Sequence, residues 1–263
     1  MGNGKRLANW SCLQQLRPMS ERVCQQCRTP LPSDALFCLK CGSAVSPSSS
    51  SNRDELLAAL ELAIGSQYEV LRLLGRGGMG AVYLARERAL DRLVAIKVLP
   101  PDSTDAASVE RFRREARTAA KLTHPNIVPL HTFGETHGMM YFVMGFVQGE
   151  SVGAKLKRLG RLDANVARRI LHETAGALHY AHEQGVVHRD IKPDNILIDD
   201  ETGKSMLTDF GVAKSVAAGE TITEFGTTLG TPHYMSPEQA SGERDIDGRS
   251  DLYSLGVVGY RML

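Results

Sequence analysis

Four glycines in six residues, Gly75-Arg76-Gly77-Gly78-Met79-Gly80, separate two strand-like runs at 68–74 and 81–85. Glycine reaches backbone angles closed to other residues, so such a loop turns tightly and lets main-chain amides come close to a neighbour. Placed between a strand and a helix, the same spacing would open a dinucleotide-binding βαβ unit. Here Ala81-Val82 lead into a second strand, and Val94-Ala95-Ile96-Lys97 reads as a third. The main domain therefore opens with consecutive strands, which argues against the dinucleotide fold. An isolated strand lysine is usually solvated; its place after this loop is what singles out Lys97.

A second segment, His188-Arg189-Asp190-Ile191-Lys192-Pro193-Asp194-Asn195, is followed by Asp209-Phe210-Gly211. Asp190 offers a carboxylate to receive a proton, and Lys192 an ammonium to face a phosphate. Asn195 offers an amide oxygen, and Asp209 a carboxylate, to one hard metal ion. Together these residues resemble the catalytic loop and metal-binding turn of a Ser/Thr protein kinase. With the glycine loop and residues 94–97, the resemblance covers about 68–263 and is to the bacterial Hanks-type (eukaryotic-like) kinases. It implies an α+β, protein-kinase-like two-lobe fold, with a β-rich N-lobe and a helical C-lobe.

The resemblance assigns roles residue by residue. Gly75, Arg76, Gly77 and Gly80 would cover the triphosphate of ATP, and Lys97 would hold its α- and β-phosphates. Val82 and Ala95 would line the adenine slot, and Leu197 would floor it. Residues 141–144 read as a buried strand leading to a hinge at Gly145-Phe146-Val147, with Met144 as gatekeeper. Gly145 stands where such kinases usually carry an acidic residue. Asp190 would accept the proton of the substrate hydroxyl, and Lys192 would face the γ-phosphate. A lysine at that place marks Ser/Thr rather than Tyr kinases. Asn195 and Asp209 would hold Mg²⁺ (or Mn²⁺). Glu115, in Arg-Arg-Glu-Ala on a helix at 108–122, would pair with Lys97, with Glu110 the competing candidate. His188 and Phe210 would pack the loop against the core, and Asp251 would anchor it from the central helix.

Downstream, 212–235 resembles an activation loop containing Thr221, Thr223, Thr227 and Thr228, with Thr223 the first choice for autophosphorylation. Arg189 and Lys214 would neutralise the added charge. Gly230-Thr231-Pro232-x-Tyr234-Met235-Ser236-Pro237-Glu238 resembles the substrate-docking loop, from which Thr231 would bond to Asp190 and Lys192. Ser151 and Asp163 are the expected N-caps of two helices, the second reaching about Glu183.

The amino-terminal part has a different character. All five cysteines precede residue 42. Cys24-x-x-Cys27 and Cys38-x-x-Cys41, ten residues apart, can bring four thiolates onto one Zn²⁺. This resembles a short bacterial zinc ribbon whose folding energy comes from the metal; Cys12 is left over. The expected organisation is a disordered tail at 1–20, with Met19 as the native start, and a ribbon at 21–42. A flexible linker at 43–53, a linker helix at 54–66 and the kinase domain at 67–263 follow. The helix carries Leu56, Leu57, Leu60, Ala63 and Ile64 on one stripe, suited to a neighbouring lobe or to a dimer contact.

Charge is balanced, 31 basic against 30 acidic residues, so no global field favours nucleic acid or a membrane surface. The longest apolar run, 139–147, is too short to span a bilayer. The reading is thus a cytoplasmic, ATP-dependent Ser/Thr kinase acting on protein substrates and forming a homodimer for autophosphorylation, with no nucleic-acid partner. The chain stops inside the expected central helix. A fragment of a longer product is therefore anticipated, weakly active alone, with any membrane anchor beyond residue 263. The alternatives are an inactive pseudokinase scaffold and a nucleic-acid-binding ribbon protein with a vestigial kinase lobe.

Overall fold

The computed structural model describes residues 22–23, 29–31, 49–77, 80–99, 106–136, 139–210, 232–243 and 245–263. The chain divides into two units, Met1–Glu55 and Leu56–Leu263. In the first, β1 (Arg22–Val23) and β2 (Pro30–Leu31) form an antiparallel pair with Val23 opposite Pro30. The expected zinc ligands Cys24, Cys27, Cys38 and Cys41 lie outside the described residues, as do the tail and most of the linker.

Helix α1 spans Ser49–Ile64 and so starts five residues before the expected 54. Asn52, expected at its N-cap, lies inside it. Serines compete with the helix through their own hydroxyls, which made 49–51 read as linker. From Leu56 onward the stripe is packed as the periodicity implies. Leu60 and Ile64 are buried, and Leu56, Leu57 and Ala63 pack beside them on the lobe that follows. Leu62 points away and is 81% exposed.

That lobe is a five-stranded antiparallel sheet in the order β3-β4-β5-β7-β6. Its strands are β3 (Tyr68–Gly77), β4 (Gly80–Glu87), β5 (Arg92–Leu99), β6 (Leu130–Thr136) and β7 (Met139–Gly145). Strand alternation sorts β5 into two faces. Val94, Ile96 and Val98 join Ala81, Tyr83, Ala85 and Val143 beneath α1. Leu99 faces the other way, with Met140 and Phe142, toward Ala116 of α2 (Ala106–Ala119). Residues 94–99 are all buried, because both faces of the strand are covered. Gly80 closes the β3–β4 hairpin at φ 121°, where a Cβ would collide with the Val98 carbonyl.

The second lobe is helical. Helix α3 (Val152–Leu159) is capped by Ser151, and α4 (Ala164–Glu183) by Asp163, both as expected. Ile170, Ala177, Leu178 and Ala181 of α4 face a core shared with Ile191, Ile196, Leu207, Leu255 and Val258. Strands β8 (Gly149–Ser151), β9 (Ile196–Asp199) and β10 (Ser205–Leu207) form a small sheet in the order β10-β9-β8. A one-turn helix, α5 (Pro237–Ala240), precedes α6 (Gly248–Met262). Leu207 bridges the lobes' connection: its N–H donates to Asn126 and its carbonyl accepts from Val128, at 2.8 and 2.9 Å. Among the described residues no helix is long and apolar enough to cross a membrane.

Candidate active site

Lys97 projects from the face of β5 opposite to α1, directly across from Val82 on β4 and Phe142 on β7. Ala95, two residues earlier, shares that face and is paired with Met144. Lys97 is only 8% exposed, and its Nζ lies 2.8 Å from Asp209 Oδ2. A buried ammonium needs such a partner, since leaving it alone would cost several kcal/mol (an order-of-magnitude figure). Behind this pair is a cavity of about 50 Å³ lined by Lys97, Ile127, Leu130, Phe142, Met144 and Asp209, among others.

The loop after α4 is held by one carboxylate. Asp251, 1% exposed on α6, accepts from the backbone N–H of His188 at 2.8 Å and of Arg189 at 2.7 Å. His182 Nε2 of α4 lies 2.8 Å from the same carboxylate. His188 is fully buried against the Phe210 ring, with centroids 4.7 Å apart. Its Nδ1 accepts from the Asp190 N–H (3.2 Å), so the proton sits on Nε2, which donates to the Thr208 carbonyl at 2.9 Å. Burial pushes its pKa down and keeps the ring neutral.

These contacts fix Asp190. Its Oδ2 accepts from Lys192 Nζ at 2.8 Å and from Asn195 Nδ2 at 3.0 Å. The same Asn195 amide nitrogen donates to the Asp190 carbonyl at 2.8 Å. Thr208 N–H then donates to the Asn195 carbonyl at 3.0 Å, which seats Asp209 beside the loop. Arg189 and Asp209 both adopt left-handed backbone, at φ 65° and 64°. For non-glycine residues this costs on the order of 1–2 kcal/mol each, and it persists only where surrounding contacts over-determine it. With its nitrogen committed to Asp190, Asn195 turns its amide oxygen the other way. That oxygen and the Asp209 carboxylate are hard donors, a set that fits Mg²⁺ or Mn²⁺.

Lys97 and Asp209 thus form one pair, and Asp190, Lys192 and Asn195 one cluster, joined by the Thr208 N–H bond to the Asn195 carbonyl, although they come from β5, the loop after α4 and the turn after β10. A family model described as the protein kinase domain matches residues 68–263. The chain belongs to the protein kinase family. It is 46% identical over 205 residues to the serine/threonine-protein kinase PknA of Mycobacterium tuberculosis, covering 76% of this chain and 47% of that protein. To PrkC of Bacillus subtilis it is 43% identical over 201 residues, 76% of this chain and 31% of PrkC. The crystal structure of the Mycobacterium tuberculosis PknI kinase domain aligns with a TM-score of 0.61 at 32% identity, over 75% and 74% of the two chains. The chain thus spans about half, or less, of the length of these curated relatives.

As a kinase domain, the two-lobe α+β architecture is the expected one. Gly75, Arg76 and Gly77 end β3, and Gly80 opens β4. Val82 and Leu197 are half-buried and Ala95 is buried. Val147 follows β7 and is half-buried. Gly145 donates to the Pro129 carbonyl at 2.9 Å, and a Cβ there would lie 3.1 Å from the Pro129 ring. A side chain at this hinge position would need that ring to give by a few tenths of an ångström. Glu115 lies on α2, with its side chain outside the described residues. The competing Glu110 is largely exposed and lies 3.7 Å from Arg113. Thr231 and the candidate phosphorylation sites Thr221, Thr223, Thr227 and Thr228 lie outside the described residues. Gln239, not singled out from sequence, touches the catalytic loop through its Nε2, which donates to the Arg189 carbonyl at 2.8 Å, and His182, also not singled out, lies one step further away against the Asp251 carboxylate. The Ser236-x-x-Gln239 spacing is a capping-box signature and was the available signal.

Proposed function

We propose that the chain is a protein serine/threonine kinase that transfers the γ-phosphate of ATP to protein hydroxyls. The observation that supports it is the Lys97–Asp209 pair joined, through the Thr208 N–H bond to the Asn195 carbonyl, to the cluster of Asn195, Asp190 and Lys192. In the reaction the substrate hydroxyl oxygen bonds to the γ-phosphorus, and the bond from that phosphorus to the ADP oxygen breaks. The hydroxyl proton passes to the Asp190 carboxylate, whose Oδ2 is anchored by Lys192 and Asn195. Lys97 orients the α- and β-phosphates, and Lys192 balances charge on the transferred group. Mg²⁺, held by Asn195 and Asp209, neutralises phosphate charge when bound. The lysine two residues after Asp190 and the names of the relatives support Ser/Thr specificity.

ATP as donor calls for the cytoplasmic compartment. The cysteine spacing supports a Zn²⁺ site at Cys24, Cys27, Cys38 and Cys41, and a structural or protein-contact role for the ribbon. Homodimer formation with autophosphorylation at Thr223 completes the reading. The test is transfer of labelled γ-phosphate to a generic basic protein, wild type against Asp190→Asn. Asp190→Asn should lower turnover on the order of 100-fold or more; a wild type that binds Mg-ATP without transferring phosphate would overturn the proposal.

A further inference from the structure

The peptide joining Arg189 to Asp190 sets the direction in which the Asp190 side chain leaves the backbone. Its N–H is held by His188 Nδ1 at 3.2 Å, and its carbonyl accepts from Gln239 Nε2 at 2.8 Å. The preceding N–H, on Arg189, is held by Asp251 at 2.7 Å. Arg189 sits at φ 65°, so releasing the carbonyl would let this peptide rotate toward a less strained conformation.

Gln239 is itself fixed. Its Oε1 accepts from the Ser236 N–H at 3.2 Å, and its own N–H donates to Ser236 Oγ at 3.3 Å, the reciprocal pair that caps α5. Ser236 is fully buried, and its hydroxyl bonds to Ser250 Oγ at 3.0 Å. Ser250 also donates to Glu238, which holds that carboxyl below the usual range. Ser250 and Asp251 are consecutive residues of α6. The contacts therefore close a ring, from α6 through Asp251 to Arg189, on to Gln239 and Ser236, and back through Ser250 to α6.

We infer that Gln239 is a positioning residue for phosphate transfer, acting on Asp190 through the Arg189 carbonyl. The side chain does two jobs with two ends of one planar amide. The cap needs an acceptor, which glutamate would supply equally well. The clamp needs a donor, which glutamate lacks. Only the amide satisfies both.

The inference rests on the kinase reading, and the experiment separates the two. In the full chain, Gln239→Glu keeps the cap and removes the clamp, whereas Gln239→Ala removes both. The expected result for Gln239→Glu is a kcat lowered roughly 10-fold, the KM for ATP unchanged and the melting temperature within about 2 °C of wild type. Lys97 and Asp209, which lie across the site, are untouched. Amide hydrogen exchange at Asp190 should be faster in both variants than in wild type. A Gln239→Glu enzyme with kcat within twofold of wild type would overturn the inference, as would a loss of kcat accompanied by an equal rise in KM or by melting. If the wild type transfers no phosphate, the proposed function falls instead. The clamp is then judged by exchange alone: faster at Asp190 in Gln239→Glu supports it, and unchanged exchange refutes it.

Discussion

Replacing Asp251 with asparagine tests how firmly the catalytic loop is held, because the change conserves shape. The carboxylate accepts two backbone N–H groups, and His182 lies against the same oxygen as one of them. An amide presents one oxygen and one NH₂. Whichever way it is turned, one of the two loop N–H donors then meets another donor. An orphaned buried donor costs about 1–3 kcal/mol, and the surviving bond loses about 1 kcal/mol in falling from charge-assisted to neutral, so the total is about 2–4 kcal/mol. For a unit of roughly 200 residues this corresponds to a melting temperature lower by about 4–16 °C. The assay is thermal unfolding followed by near-ultraviolet circular dichroism, with phosphate transfer measured well below the transition. Turnover should fall more than tenfold, since one of the two N–H anchors of the left-handed turn at Arg189 would be lost. A variant that melts within 2 °C of wild type and turns over within threefold would refute the reasoning.

Leu60→Ala opens a cavity between α1 and the sheet and should cost about 2–5 kcal/mol by urea unfolding, whereas Leu62→Ala on the exposed side should change stability by less than about 0.5 kcal/mol. Lys97→Met should lower kcat/KM for ATP on the order of 100-fold or more, and an unchanged value would remove Lys97 from the phosphate site. Burial depresses the pKa of His188, and also of His124 and His131. The unfolded chain therefore takes up protons first as pH falls below about 6.5. The stability these groups contribute is fully present above that pH and should be lost progressively as pH falls below it, read as a falling urea midpoint; a midpoint that stays flat there would contradict the neutral-imidazole assignment. Elemental analysis should find about one zinc per chain, lost on Cys24→Ser.

Much of this site was legible before any coordinates, because its chemistry depends on side-chain identity at close spacing. Asp190, Lys192 and Asn195 lie within one turn of chain, and Asp209 follows a short hairpin. Lys97 was legible only through its neighbours, the glycine loop before it and the strand around it. Gln239 and His182 were not legible as site residues. One lies in a one-turn helix and the other near the end of a long one, and only tertiary contact brings Gln239 to the Arg189 carbonyl and His182 to the Asp251 carboxylate. The start of α1 was misplaced because local serine chemistry argues for linker, while the helix continues into a packed stripe. The choice between Glu110 and Glu115 turned on motif register, and the Glu115 side chain lies outside the described residues.

Every residue of β5 from Val94 to Leu99 is buried. Ile96 rests in the layer under α1, and its neighbour Lys97 aims the opposite way. A methyl group gained or lost at Ile96 must shift the same stretch of main chain that directs the ammonium. Drift in the greasy layer and tuning of the nucleotide grip are therefore not independent evolutionary variables in this protein. Neutral change should collect on the outward side of α1, around Leu62, and be scarce along those six positions.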